Sequence, residues 1–237
     1  DLSGNYNTSA TQKSVTYDLV APVTSVTAPS GGGKYKGNIS ITADASDDSG
    51  ILKVEFWHDS AVPLLISTDT EAPYTATWNS TDTAEGSHAI YVKAFDNAGN
   101  ITTSDSVSVT LDRTAPILTI TDPSAAGIVN SAKVITFTND SDSSSNVGEC
   151  SIDNSIWVAC TSETTTLNSI TGFGALGDTS FTLYLRDADI AGNVGTTQVA
   201  LVKDSTSPTV TAKSPSVNAV SVDPSANVEV TFNEAMN

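Results

Sequence analysis

The sequence predicts an all-β protein built from tandem β-sandwich domains, two complete ones with a partial unit at each end. Two short motifs recur about every 94 residues along the 237-residue chain. Between them, apolar and polar residues alternate with a period of two, and no stretch sustains the 3.6-residue period of a helix. A repeat of this length, with one copy of each motif, is typical of whole domains joined in a row.

The two motifs predict the domain boundaries. The first, Asp-x-x-Gly-Asn, begins at residues 1, 96 and 189, so its copies are 95 and 93 residues apart. The second, Asp-x-x-(Ala/Ser)-Pro, begins at residues 18, 112 and 204, so its copies are 94 and 92 residues apart. The predicted parts are the C-terminal end of a preceding domain at 1–20, complete domains at 21–112 and 113–204, and the start of a further domain at 205–237. Each complete unit has the usual size of a compact domain.

Strand-like segments follow one another through both complete units. In the first, the apolar positions predicted to alternate toward the core are Ile39, Ile41 and Ala43, then Leu52, Val54 and Phe56, then Ile90, Val92 and Ala94, and finally Val107, Val109 and Leu111. The pattern continues in segments 117–120, 133–138, 149–152, 156–160, 180–187, 196–202, 209–212 and 227–232. β-Branched and aromatic residues, interrupted by clusters of Gly, Pro, Asn and Asp, are typical of antiparallel strands. About seven short strands per unit favour an immunoglobulin-like (Ig-like) sandwich.

The residues also resemble known families. The first complete unit contains ASDDSGILKVEFWHD, APYTATWNSTDTAEGSHAIYVKAFDNAGN and DRTAP, and it resembles the bacterial Ig-like domain found in secreted glycosidases, adhesins and large surface proteins. The second contains ECSIDNSIWVACTS, RDADIAGNVG and DSTSP and resembles a sister Ig-like type, with a longer Gly-rich stretch in place of a short turn. The last segment, with SPTVTAKSPSVNAV and NVEVTFNEAMN, is similar to the start of an Ig-like domain of surface-layer and envelope proteins.

Charge and composition exclude several functions. The chain has 27 acidic and 10 basic residues, a net charge of −17. Nucleic-acid binding needs patches of Lys and Arg, which the sequence lacks, so nucleic acid is excluded as a partner. No apolar run of 18 residues predicts a membrane helix. Phosphate-binding loops, nucleophile elbows and metal-type histidine spacings are also missing from the sequence, which predicts a segment that is not an enzyme.

The two cysteines, Cys150 and Cys160, favour a short disulfide across a β-hairpin. Zinc would need four ligands, and both histidines lie in the other unit. A two-residue turn at Asp153 and Asn154 would place Cys150 opposite Trp157, so the bridge requires a longer turn or a bulge. A disulfide indicates an oxidising, extracytoplasmic location.

Acidic residues cluster in segments that an Ig-like sandwich brings to one pole. The loop between its second and third strands and the loop between its last two lie at the same pole, where the incoming linker also arrives. For the first complete unit these segments carry Asp18 on the linker, Asp44, Asp47 and Asp48 on the first loop, and Asp96 with Asn100 on the other. For the second they carry Asp112, then Asp140 and Asp142, then Asp187, Asp189 and Asn193.

These carboxylates predict a calcium ion (Ca²⁺) at each domain junction. Several acids without a Lys or Arg to pair them repel one another, and a hard divalent cation with six to eight oxygen ligands removes that repulsion. The resemblance also implies calcium, because Ig-like arrays of this kind use it to stiffen their junctions. The alternative is that Asp-x-x-Gly-Asn is only a turn, in which Asp accepts backbone hydrogen bonds, Gly supplies a positive φ and Asn tolerates left-handed geometry.

The aromatic residues are few. Trp78 fits a core tryptophan of the sandwich. Trp57 adjoins the inward-facing Phe56, so the alternation points it outward. Trp57, His58 and Trp157 are the candidates for stacking on a sugar, although an isolated exposed tryptophan is more often the cover of an edge strand.

Together these features predict a structural or adhesive stalk segment of an extracellular prokaryotic surface or filament protein. The expected partners are other surface-protein subunits or the rest of its own long chain, with a glycan or host-surface ligand bound through domains outside this segment. The alternative is an Ig-like spacer or accessory module of a secreted polysaccharide-degrading enzyme or protease. The partial units leave unpaired strand edges that invite strand exchange with a neighbouring chain.

Overall fold

The computed structural model describes residues 17–59, 62–140 and 147–234. They form two compact units, one containing the residues up to Thr114 with Ile190–Asn193, the other containing Ala115–Asp189 and the residues from Val194 onward. The predicted division into four parts stays a prediction, and most of 1–20 lies outside the described residues. The helices in the described ranges are single 3-10 turns, and neither could span a lipid bilayer.

In the described part of the chain, the first unit contains nine strands in two sheets. They are β1 (Val23–Ala28), β2 (Lys34–Tyr35), β3 (Ile39–Ser46), β4 (Ile51–Asp59), β5 (Pro63–Asp69), β6 (Tyr74–Trp78), β7 (Gly86–Asp96), β8 (Ile101–Thr103) and β9 (Val107–Leu111). One sheet has the order β1-β3-β6 and the other has the order β2-β9-β7-β4-β5, with β8 also paired to β7. The short pair β2–β9 is parallel, whereas β4–β7 and β7–β9 are antiparallel.

The core of the first unit lies between these two sheets. Its buried members are Ile39, Ile41, Ala43, Tyr74, Ala76 and Trp78 from the three-stranded sheet, and Val54, Phe56, Ile90, Val92, Ala94, Val109 and Leu111 from the other. Nearly all of them alternate along their strands with more exposed residues, which is how a pleated strand presents one face to a core. The prediction of a core position for Trp78, which is 3% exposed, is confirmed.

One predicted core position is wrong. Leu52 is 52% exposed, whereas Val54 and Phe56 on the same strand are fully buried. The pairing of β4 with β7 shifts between Ile51 and Lys53, so Leu52 is the extra residue of a β-bulge. A bulge interrupts the period of two, and a sequence pattern alone does not locate it.

The second unit contains three sheets and has a core of its own. In the described ranges its strands are β10 (Leu118–Asp122), β11 (Ile128–Val129), β12 (Thr136–Asn139), β13 (Val147–Ser151), β14 (Val158–Thr161), β15 (Ser180–Ala188), β16 (Val194–Lys203), β17 (Val210–Ser214) and β18 (Glu229–Phe232). β10 pairs with β12, a five-stranded sheet has the order β11-β16-β15-β13-β14, and β17 pairs with β18. Single 3-10 turns at Leu167–Ser169 and Phe173–Ala175 occupy the Gly-rich stretch and contribute Leu167 and Phe173 to the core.

The predicted disulfide is confirmed. Cys150 on β13 and Cys160 on β14 are bonded, with their Cα atoms 5.5 Å apart, and both side chains are fully buried. Cys150 lies opposite Val158, and Cys160 lies opposite Gly148, so the bridge crosses the hairpin diagonally. The turn between the strands runs from residue 152 to residue 157. It is longer than a two-residue turn, as the bridge requires.

Candidate cation site at the first linker

Three of the predicted metal ligands come together in the first unit. Asp18 lies on the linker, Asp47 follows β3, and Asp96 ends β7. One carboxylate oxygen of each lies within 4.8 Å of the others. The three segments therefore meet as an Ig-like topology predicts.

The Asp-x-x-Gly-Asn motif forms the turn that follows β7 and fixes Asp96. Asp96 Oδ1 accepts hydrogen bonds from the backbone N–H groups of Ala98 (2.9 Å) and Asn100 (2.7 Å), and Asp96 Oδ2 accepts one from Asn100 Nδ2 (2.7 Å). Gly99 has a φ of +96°, which few other residues adopt. Burial opposes ionisation of this fully buried carboxyl group, but the bonds from Asn100, Gly99 and Ala98 outweigh it and hold the pKa of Asp96 below its ordinary value.

A second loop is bonded to this turn. Asp47 Oδ1 accepts hydrogen bonds from the N–H and the hydroxyl of Ser49, both at 2.8 Å. Asn97 donates from its backbone N–H to the carbonyl of Gly50 (3.1 Å) and from Nδ2 to the carbonyl of Ser49 (2.8 Å). Asn97 therefore holds the loop that carries Asp47 beside the turn that carries Asp96.

The linker is held to the same turn by Asn100. Its Nδ2 lies 3.2 Å from the carbonyl oxygen of Asp18 and 3.0 Å from that of Val20. Asp18 Oδ1 in turn accepts a hydrogen bond from the N–H of Val20 at 2.9 Å. The last residue of the motif therefore binds the linker backbone, and this contact presents the Asp18 carboxylate to the other two acids.

The three carboxylates are close enough together to be ligands of one calcium ion. Ca²⁺ binds oxygens at about 2.3–2.6 Å, so two ligands of one ion are at most about 5 Å apart. Among the described residues, none of the three acids forms an ion pair, and the second oxygen of Asp18 and of Asp47 accepts no hydrogen bond. Two full negative charges held this close repel by about 1 kcal/mol in water and several-fold more at a protein surface. A divalent cation would remove this repulsion.

Asn100 adjoins this group through its amide nitrogen, and the remaining predicted ligands lie outside it. In the first unit, Asp48 is an exposed turn residue and Asp44 is an exposed residue of β3. Asp142 lies outside the described residues. Asp140 Oδ2 accepts a hydrogen bond from Ile117 N–H (3.0 Å), Asp187 Oδ2 accepts one from Asn139 Nδ2 (3.1 Å), and Asp189 and Asn193 are buried. No second group of three acids this close occurs within residues 17–59, 62–140 and 147–234, and the assignment of these residues to a metal stays a prediction.

The sequence predicts that the acids at each linker have no basic partner, and the acid of the second linker does have one. Asp112 Oδ2 lies 3.1 Å from Lys34 Nζ, so this acid has a basic partner, and its assignment as a metal ligand stays a prediction. Asn193 Nδ2 donates to the carbonyl of Asp112 at 3.0 Å, as Asn100 does to that of Asp18. The sequence does not identify Lys34 as the partner of Asp112, because nothing in the local pattern around Lys34 indicates this role. Its partner lies 78 residues away and is found only through the tertiary fold.

The sugar-stacking candidates are engaged by neighbours. Trp57 lies parallel to Tyr91, with ring centroids 6.5 Å apart, and Lys93 Nζ is 4.7 Å from its ring centroid. His58 is buried and stacks on the core residue Trp78. Trp157 lies on the loop of the disulfide hairpin in the second unit, with the Arg186 guanidinium 4.1 Å from its ring centroid.

Comparison with known proteins agrees with the fold. Residues 22–92, within the first unit, match the family model of the bacterial Ig domain. No curated protein matches the chain.

Several solved structures are similar. The fibronectin(III)-like modules of Clostridium thermocellum CbhA share 20% identity over 76% of this chain and 94% of theirs, with a TM-score of 0.47. A solved chain from a 1.5-MDa bacterial ice-binding adhesin shares 15% identity over 84% of this chain and 71% of the solved one, with a TM-score of 0.40. A tetra-tandem repeat in the extending region of a large adhesion protein shares 20% identity over 80% of this chain and 50% of its own, with a TM-score of 0.30.

Proposed function

We propose that this protein is a structural or adhesive stalk segment of an extracellular prokaryotic surface or filament protein. The match of residues 22–92 to the bacterial Ig domain supports this proposal. The role is mechanical rather than catalytic, and the partners are other surface subunits or further domains of the same chain. The disulfide between Cys150 and Cys160 supports an oxidising, extracytoplasmic location.

The observation that carries this proposal is the bond between motif and linker. Asn100 and Asn193 occupy the same place in two copies of Asp-x-x-Gly-Asn, and each donates its side-chain amide to a linker carbonyl. A linker bonded in this way loses backbone freedom, which suits a chain that must hold its domains at a set spacing. A flexible spacer would gain nothing from the same bonds.

We also propose that Ca²⁺ binds to Asp18, Asp47 and Asp96. Their closeness, the missing ion pairs among the described residues and the net charge of −17 support a divalent cation at this place. The ion would join the linker to two loops of the following domain. It would add a metal-dependent contact to the one that Asn100 makes without metal.

The calcium proposal is tested by thermal unfolding of the whole chain in Ca²⁺ and in chelator, with Asp18→Asn and Asp48→Asn as a matched pair. Asn at position 18 keeps an acceptor for Val20 N–H but removes a ligand charge, whereas Asp48 is exposed and outside the group. At a hundredfold excess over Kd, one ion adds about 2.7 kcal/mol to the first unit. That corresponds to a Tm higher by roughly 10–20 °C for a domain of this size.

We expect the wild type to be more stable than Asp18→Asn in Ca²⁺ but not in chelator. Asp18→Asn should equal or exceed the wild type in chelator, because one repelling charge is gone, and should fall below it in Ca²⁺. Asp48→Asn should respond to Ca²⁺ as the wild type does. The calcium proposal is overturned if the wild-type Tm is the same in Ca²⁺ and in chelator, or if Ca²⁺ raises the Tm of Asp18→Asn as much as that of the wild type.

The stalk proposal is tested separately by small-angle scattering. Each complete sandwich is roughly 35–40 Å long, from about ten strand residues at ~3.3 Å each plus loops. Two complete domains in line give a maximum dimension of at least about 70 Å. A compact globule of smaller dimension contradicts the stalk, whatever the result with calcium.

A further inference from the structure

A groove of about 390 Å³ lies in the second unit. Its polar and aromatic lining includes Asn154, Trp157, Tyr184, Thr196 and Gln198. Tyr184 and Gln198 are directly paired on β15 and β16, whereas Leu183, Leu185 and Val199 beside them belong to the core. The groove therefore lies on the outer face of the five-stranded sheet, and its size is within the range of about 300–1,000 Å³ usual for small-ligand sites.

The loop that carries Trp157 is held in place before any ligand arrives. The Cys150–Cys160 disulfide closes its base. Asp153 Oδ1 accepts hydrogen bonds from the hydroxyl of Ser151 (2.9 Å) and from the N–H groups of Ser155 and Ile156 (both 2.8 Å). A loop fixed by these bonds loses little conformational entropy on binding, and such preorganisation favours affinity.

The side chains that line the groove carry no charge. The Arg186 guanidinium lies 4.1 Å from the centre of the Trp157 ring, and its Nε donates to Glu149 Oε2 at 2.7 Å, which compensates the positive charge. The other polar groups are an amide on Asn154 and on Gln198, a hydroxyl on Thr196 and the phenol of Tyr184. Neutral donors and acceptors around an indole suit a ligand with many hydroxyl groups and an apolar C–H face. The net charge of −17 disfavours an anionic ligand.

We propose that this groove binds neutral sugar residues of a polysaccharide, with Trp157 contacting the sugar ring and Gln198 bonding its hydroxyls. The proposal is independent of the cation site, which lies in the first unit. Trp57 provides a matched control because it is also half-buried on an outer sheet face. Its ring is engaged by Tyr91 and Lys93, and its Nε1 donates to Glu55 Oε2 at 3.2 Å.

The test is affinity electrophoresis of the whole chain in gels containing hydroxyethylcellulose, galactomannan or dextran, with alginate as the anionic comparison. We expect at least one neutral polymer to retard the wild type. Trp157→Ala should weaken that affinity at least tenfold, Gln198→Ala at least threefold, and Trp57→Ala by less than twofold.

Three outcomes overturn the proposal: no retardation by any neutral polymer, retardation by alginate alone, or equal effects of Trp157→Ala and Trp57→Ala. If Trp157→Ala disturbs folding of the second unit, Gln198→Ala decides the question. Its side chain is exposed, so its removal leaves the core intact. Unchanged affinity in Gln198→Ala then refutes the groove as the binding site.

Discussion

Asn100→Ala should destabilise the first unit by about 2 kcal/mol, because this side chain joins the linker to the turn after β7. Its Nδ2 lies 2.7 Å from Asp96 Oδ2, 3.0 Å from Val20 O and 3.2 Å from Asp18 O. An amide nitrogen carries two hydrogens, so we count one bond to a carboxylate, about 1.5–3 kcal/mol, and one to a neutral carbonyl, about 0.5–1.5 kcal/mol. Asn100 is half-buried, and water will replace part of this energy, which places the expected loss near the lower end of the sum.

The measurement is differential scanning calorimetry of the whole chain in chelator, so that no metal contributes. For a domain of this size, about 2 kcal/mol lowers the Tm of the first unit by roughly 8–16 °C, while the transition of the second unit should not move. Asn79→Ala is the control. Asn79 is exposed, and its Oδ1 accepts hydrogen bonds only locally, from the N–H and hydroxyl of Thr81. Asn79→Ala should therefore lower the unfolding free energy by less than about 1 kcal/mol. Equal effects of the two substitutions would refute the assignment of Asn100 as the residue that holds the linker.

Two further predictions concern the second unit. Replacing both Cys150 and Cys160 with Ala should lower its unfolding free energy by about 2.7 kcal/mol, the loop-closure term for their sequence separation of 10, and a loss below about 1 kcal/mol in urea titrations would contradict this. Backbone hydrogen bonds from Ile156 and Ser155 hold the pKa of Asp153 below its ordinary value of 3.8. The folded-state pKa lies below the unfolded one, so the stabilisation is complete above about pH 4 and is lost as the pH falls through the folded value. Asp153→Asn should therefore lose stability less steeply than the wild type in acid, and an unchanged slope would count against this role.

The sequence predicts the local chemistry of this protein better than its tertiary contacts. The motif at Asp96 forms the turn expected from its residues, because Asp, Gly and Asn act on backbone groups within five positions. Leu52 fails as a core position because a bulge depends on the partner strand as well as on its own sequence. The closeness of Asp18, Asp47 and Asp96 follows from the topology of the fold once the resemblance supplies it, and the period of two alone does not specify it.

The two linkers show how far a repeated motif determines structure. Each begins with Asp in an Asp-x-x-Ala-Pro segment, and each has its first carbonyl bonded by the Asn of an Asp-x-x-Gly-Asn turn. The carboxylates differ, since Asp18 lies beside two further acids and Asp112 lies 3.1 Å from an ammonium group. A backbone contact needs only the motif residues, so it recurs with the motif. The charge partner comes from another strand, where Lys34 precedes Tyr35 on β2, and no rule within the motif specifies it. The motif therefore sets how each linker is held, while residues outside the motif decide whether its acid has a basic partner.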